Sequence, residues 1–269
     1  KYFSFFAAVL LAISPWHLSL SRGAFEANLS SFFLTAGILF FFLGLKKPLF
    51  FVYSGLFCGL NLLTYHSAKV VTPLLLLAVV VWKRKELLTI IKEKNRMLFF
   101  AGVLIFSLFS FVMLAGFFGG AGTRASDIGI FSGYKEEVFQ KRNAAQILGL
   151  PVIFTKFFEN KVSLMHKEFF RNYFSYFSPT FLWTTGAGEA TYGMIPGVGV
   201  LYCIEIFFII SAFYFLLKEK NPSLIFIVFW LAVSPIPASL TRGVGFHANR
   251  AACMIPSIQI LSAYGLIRL

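Results

Sequence analysis

Long apolar stretches broken by short polar clusters set the pattern of this chain, and the stretches have helical, membrane-crossing length. A bilayer's hydrocarbon core takes roughly 20 apolar residues as helix. Eight apolar segments can be read. The first runs from Tyr2 to about Ser14 and is cut by Pro15, which shortens or bends it there. The second spans about Asn28 to Leu45 and stops at Lys46-Lys47-Pro48. The third runs from Leu49 to about Thr64 and the fourth from Val70 to Trp82. After a basic stretch from Lys83 to Arg96, the fifth runs from Met97 to about Phe118. The sixth covers Val198 to Leu217, the seventh Leu224 to Ala238, and the eighth continues from Ala251. The fold class expected is all-α and integral to a membrane, a multi-pass bundle. Residues 1–119 hold about five spans, 120–196 form an extracytoplasmic loop with a helical element, and 197–269 hold about three spans.

Composition agrees. Charged residues are 13% of the chain and hydrophobic ones 58%, where soluble domains carry about 25% charged residues. A net charge of +13 on a soluble chain would suggest nucleic acid. Here the basic runs flank apolar spans, so they report topology, and no nucleic-acid partner is expected. Short loops after even-numbered spans hold Lys46, Lys47, the six basic residues from Lys83 to Arg96, and Lys218 and Lys220. Those on the opposite side hold only Arg22, Lys69, Arg242 and Arg250. The first set predicts the cytoplasmic side. The long insert is left out of that count, because long loops translocate largely regardless of charge; its glycines at 119, 120 and 122 and at 186 and 188 predict flexible edges. Cys58, Cys203 and Cys253 lie in apolar segments, odd in number and without metal-ligand spacing, which predicts buried thiols rather than a disulfide framework or a metal site.

The polar clusters between spans carry the candidate chemistry. Arg22 and Glu26 are four apart, so on one helix they share a face and can pair. That pair is either a salt bridge anchoring a helix end or an arginine held by Glu26 to meet a lipid phosphate. Asn28-Leu29-Ser30 matches a glycosylation sequon but stands at the start of a span, out of reach of the acceptor machinery. His66 and Lys69, three apart, are either an interfacial snorkelling lysine with a neighbour or a corner for phosphate or sugar. Arg242 follows Pro235 and Pro237. His247 and Arg250 then open the eighth span, where Arg250 at a helix start gains from a nearby anion; simple headgroup contact is the plainer reading. Glu205, within the sixth span, is either a proton or ion site or the acceptor of a structural bond.

Several segments together resemble a known family. They are Ile13-Ser14-Pro15-Trp16-His17, Ser21-Arg22-Gly23-Ala24-Phe25-Glu26-Ala27-Asn28, Tyr65-His66-Ser67-Ala68-Lys69, Asn172-Tyr173-Phe174-Ser175-Tyr176-Phe177, Ile195-Pro196-Gly197-Val198-Gly199 and Pro237-Ala238-Ser239-Leu240-Thr241-Arg242. In this order they resemble bacterial members of the dolichyl-phosphate-mannose protein mannosyltransferase superfamily, GT-C glycosyltransferases related to the lipid A aminoarabinose transferase. The resemblance covers essentially the whole chain. It implies a bacterial inner-membrane enzyme whose site faces outward and which takes a sugar from a polyprenyl-phosphate donor to a protein, lipid or glycan acceptor, without metal or other cofactor. On that reading Arg22, Lys69, Arg242 and Arg250 are expected to share the holding of the donor phosphate, His66 and His247 to orient the substrate, and Glu26 to hold Arg22. Lys69 stands where close relatives often have arginine. The family's catalytic acid lies in a first external loop with no counterpart here, so the chain, which opens at Lys1, reads as an N-terminally truncated piece of a longer protein. A transporter or flippase of lipid-linked sugars is the alternative. It would favour deep charges and inverted repeats.

Overall fold

A computed structural model describes residues 2–92, 96–121, 129–131, 133–188, 191–242 and 246–269. Lys94 and Gly122, which belong to segments named above, and residues 243–245, between Arg242 and His247, lie outside these. Of the described residues 76% are helical and none is in a strand, in keeping with the all-α class. The helices are α1 (Tyr2–Ile13), α2 (Pro15–Arg22), α3 (Glu26–Gly44), α4 (Phe50–Thr64), α5 (Ala68–Trp82), α6 (Arg84–Lys92) and α7 (Arg96–Gly116). Next come α8 (Lys135–Ile147), α9 (Val152–Phe158) and α10 (Lys161–Ser175). Then follow α11 (Glu205–Glu219), α12 (Pro222–Val233), the one-turn α13 (Ile236–Ser239) and α14 (Met254–Arg268).

Three of the eight apolar segments form helices long and apolar enough to cross a membrane: Glu26–Gly44, the α7 segment Arg96–Gly119, and Pro222–Ser239. The first segment makes a fourth if the α1–α2 pair counts as one span; it bends by 57° where Pro15 starts the second helix. The other four, α4, α5, α11 and α14, have 15 residues each. At 1.5 Å per residue such a helix is about 22 Å long, short of a hydrocarbon core of about 30 Å. The sixth segment loses its first turns because residues 198–204 are not helical. Val200 and Leu201 donate their N–H groups to Phe181 and Leu182 instead, at 3.3 and 2.8 Å. Glu205 is therefore the first residue of α11, not a mid-span acid. Cys58 and Cys253 are buried, whereas Cys203, in the same non-helical stretch, is exposed.

α7 makes the case for lipid. Only Gly102 of its residues is buried, while Leu104, Leu108, Phe111 and Val112 stand exposed. An apolar helix open over most of its surface belongs in an apolar medium. α7 joins the bundle through close backbone contact with α4: a Cβ on Gly55 would strike the Gly102 carbonyl.

The packing gives the bundle two chemically distinct ends. At one, Ser30 of α3 donates to Asn61 of α4 at 2.8 Å, and Asn61 Nδ2 donates to Thr72 of α5 at 2.8 Å. Trp230 Nε1, near the end of α12, donates to the Cys253 carbonyl just before α14 at 2.9 Å. The α2–α3 turn, the α4–α5 turn and residues 241–253 thus share this end, called here the Arg250 end. At the other, Phe42 meets the rings of Trp82 and Phe226, and Arg268 pairs with Glu219 at 3.0 Å. The ends of α3, α5, α11 and α14 and the start of α12 meet there, at the Lys83 end. Helices α8–α10 lean on the Arg250 end. Tyr173 donates its hydroxyl to the Ala232 carbonyl at 2.7 Å, and the Ile130 N–H donates to the Leu240 carbonyl at 3.1 Å.

Candidate functional site

Four separate stretches converge at the Arg250 end. The α3 start brings Glu26, the α4–α5 turn Tyr65, the residue after α10 Tyr176, and the turn before α14 brings His247 to Arg250. The Tyr176 hydroxyl accepts the His247 N–H at 3.2 Å. Burial raises the Tyr65 phenol above its ordinary value; Arg250 opposes the rise and Glu26 adds to it. Burial likewise raises Tyr176, opposed by the His247 N–H and Arg250 and reinforced by Tyr65. The two phenols and Arg250 therefore feel one another's fields. His247 is lowered by burial and then by the Arg250 charge, so its imidazole favours the neutral form.

Arg250 is half-buried and donates through Nη1 to Thr241 Oγ1 at 2.6 Å. A guanidinium has five donors, so most remain for a ligand. Among the described residues no carboxylate lies within ion-pair distance of it. Beside it, the buried atoms His247 Nε2 and Asn249 Oδ1 have no hydrogen-bond partner among the described residues. Buried polar atoms are paired in the great majority of cases, so these two, like Ser14 Oγ, Trp16 Nε1 and His17 Nδ1 elsewhere in the bundle, leave capacity that a water or a polar ligand can fill.

The geometry revises several readings of the sequence. Arg22 and Glu26 share no helix: α2 ends at Arg22, Ala24 adopts φ 50°, and α3 begins at Glu26. Both side chains are exposed, and among the described residues no ion pair joins them. His66 sits in the turn before α5, exposed, with its ring 6.3 Å from that of Tyr65; Lys69, in the first turn of α5, is half-buried. Arg250 is not at a helix start, because α14 begins at Met254. Residues 247–252 form a tight turn of i→i+3 bonds, from the Arg250 N–H to the His247 carbonyl at 3.0 Å through Ala252 to Asn249. The helix-dipole argument for Arg250 falls with that.

Arg242 faces a different neighbourhood. Its guanidinium lies 3.9 Å from the centre of the Tyr134 ring, and Nε is 3.9 Å from Glu168 Oε2. Tyr134 also donates a short hydrogen bond to Glu168. Arg242 thus pins α8 and α10 to the bundle. Tyr134, Glu168, Tyr176 and Thr241 carry this geometry, yet sequence reasoning gave none of them a role at the site. Tyr176 and Thr241 were visible only as parts of resembling segments, and nothing in local spacing links Glu168 to Arg242.

Fold and site together describe a helical protein with membrane-length spans and a polar, cation-bearing cluster at one end of its bundle. No protein-family model, curated protein or solved structure matches the chain.

Proposed function

We propose that the protein is a membrane glycosyltransferase of the GT-C type. It moves a sugar from a polyprenyl-phosphate donor to a protein, lipid or glycan acceptor at the extracytoplasmic face of a bacterial inner membrane. The observation that carries this reading is Arg250: half-buried, without an acidic partner among the described residues, and flanked by the unpaired His247 Nε2 and Asn249 Oδ1. A guanidinium in that state gains most from an oxyanion that accepts two parallel N–H bonds, as phosphate does. In the reaction, an acceptor hydroxyl passes its proton to the carboxylate that the family carries in its first external loop, its oxygen attacks the anomeric carbon, and the bond to the carrier phosphate breaks. Negative charge grows on the departing phosphate, and donors fixed beforehand stabilise it without reorganising. Arg250 holds that phosphate, and His247 and Asn249 orient the sugar or its link. In this reading Arg22, Glu26, His66 and Lys69, on the α2–α3 and α4–α5 turns, take part in binding the donor from the side of Tyr65. Arg242 acts at one remove, by fixing α8 and α10 beside it.

Purified full-length protein in vesicles, given labelled polyprenyl-phosphate sugars and candidate acceptors, tests the reading. Label covalently joined to acceptor is the expected result. Label carried across the bilayer with no glycosidic product would establish the flippase reading in its place.

A further inference from the structure

A second candidate binding site lies at the far end of the bundle. A cleft of about 800 Å³ opens between α3, α12 and α14 beside Trp82. That volume is in the upper part of the range for small-molecule sites, about 300–1,000 Å³. Its walls are apolar, with Ile38 and Phe42 from α3, Phe226 and Trp230 from α12, and Ile260 from α14. Two of the walls, α3 and α12, belong to membrane-length helices, so the cleft is walled by segments that can lie alongside acyl chains. Lys83 and Arg268 also line it.

We infer that this cleft binds an anionic phospholipid, with acyl chain against α3, α12 and α14 and headgroup phosphate between Lys83 and Arg268. Charge decides the occupant. Among the described residues, Lys and Arg at 46–47, 83–96, 218–220 and 268 outnumber the acids of this end, Glu86 and Glu219, ten to two. Each cation at the cleft has one acidic partner and donors left over. Lys83 Nζ is 2.9 Å from Glu86 and 4.8 Å from the centre of the Trp82 ring. Arg268 Nη2 is 3.0 Å from Glu219 and 3.3 Å from the Tyr264 hydroxyl. An ammonium has three donors and a guanidinium five, so both can bridge to a phosphate without giving up those partners. Basic pockets between membrane helices hold anionic headgroups in this way. A zwitterionic lipid fits the apolar walls equally well and gains less from the surplus of positive charge. This inference needs the protein in a bilayer and is independent of glycosyl transfer.

The full-length protein in nanodiscs of equal phosphatidylglycerol and phosphatidylcholine, exchanged into detergent and weighed by native mass spectrometry, tests it. Retained phosphatidylglycerol should exceed phosphatidylcholine by about fivefold or more, the ratio that roughly one lysine's attraction to an anionic surface gives. Lys83→Gln with Arg268→Gln should bring the two lipids towards parity. Ile260→Trp, which fills the cleft at unchanged charge, should lower retention of both. Lys46→Gln should keep the preference. Equal retention in the unaltered protein, a preference untouched by the double change, retention of both lipids undiminished in Ile260→Trp, or a loss of preference as large in Lys46→Gln would each overturn the cleft assignment. Melting of every variant in the same detergent separates lost lipid from lost fold.

Discussion

Both ends of the bundle are basic, and they hold their cations in opposite ways. At the Lys83 end the charges are many and sit on helix termini, and two of them have acids at hand: Lys83 with Glu86 and Arg268 with Glu219. Exposed pairs of this sort contribute little to stability, and their number follows topology. At the Arg250 end the charges are few, and the central one is half-buried, bonded to a threonine hydroxyl and within electrostatic reach of the buried Tyr176 and the half-buried Tyr65. The comparison teaches that the count of charges marks the side of a membrane, whereas the setting of a single charge marks chemistry.

The largest effect should separate the ends by activity. Arg250→Ala should lower transfer from a polyprenyl-phosphate sugar by about a hundred- to a thousand-fold, the cost of losing one preorganised donor to developing charge, about 2.7–4 kcal/mol. Lys218→Ala at the opposite end should leave the rate within about twofold of the original, as expected of an exposed cation away from the reacting atoms. Equal losses in both would dissolve the contrast.

A smaller effect concerns how the Arg250 end keeps its cover. Glu168→Gln removes the carboxylate shared by Arg242 and Tyr134 and should weaken the hold on α8–α10 by about 1–2 kcal/mol, given one partly buried ion pair beside a cation–π contact. Amide hydrogen exchange in residues 135–175 should quicken, while exchange in α4 and α5 stays unchanged. Unaltered exchange throughout would show that α8–α10 are held by other contacts, such as Tyr173 to the Ala232 carbonyl.

The smallest effect is a titration. Tyr65 and Tyr176 both lose protons above the ordinary phenol value of 10.0. A folded phenol raised in this way contributes stability that is complete below pH 10 and declines as pH climbs through its folded value. Arg250 favours the tyrosinate, so Arg250→Ala should move both phenols further up. Spectrophotometric titration of Arg250→Ala, with Tyr65→Phe and Tyr176→Phe as references, reads that shift. An unchanged titration would mean that Arg250 does not face the two rings.

Much of the helical layout was legible because it is local. Pro15 marks the break between α1 and α2, and Lys46-Lys47-Pro48 marks the end of α3, since proline and interfacial charge act on their own neighbourhood. The start of α11 was not legible. Hydropathy carries on smoothly from Val198, and what unwinds residues 198–204 is their pairing with Phe181 and Leu182. The Arg22–Glu26 pairing failed for a related reason: a spacing of four implies a shared face only if the helix runs through, and Gly23-Ala24 turns the chain. At the site, His247 and Arg250 stood out by residue type. Tyr176, Thr241 and the Glu168 partner of Arg242 reach their places through contacts between distant segments, which periodicity does not encode.

The contrast between the ends is tested most directly by a polyprenyl-phosphate sugar bearing a photoreactive group beside its phosphate. Irradiated with the full-length protein and mapped by peptide mass spectrometry, it should mark the 65–69 and 246–250 turns. Excess unlabelled donor should suppress that marking, and Arg250→Ala should reduce it. Labelling centred instead on residues 82–92 and 218–222, with the Arg250 end unmarked, would contradict the assignment of the phosphate to the Arg250 end.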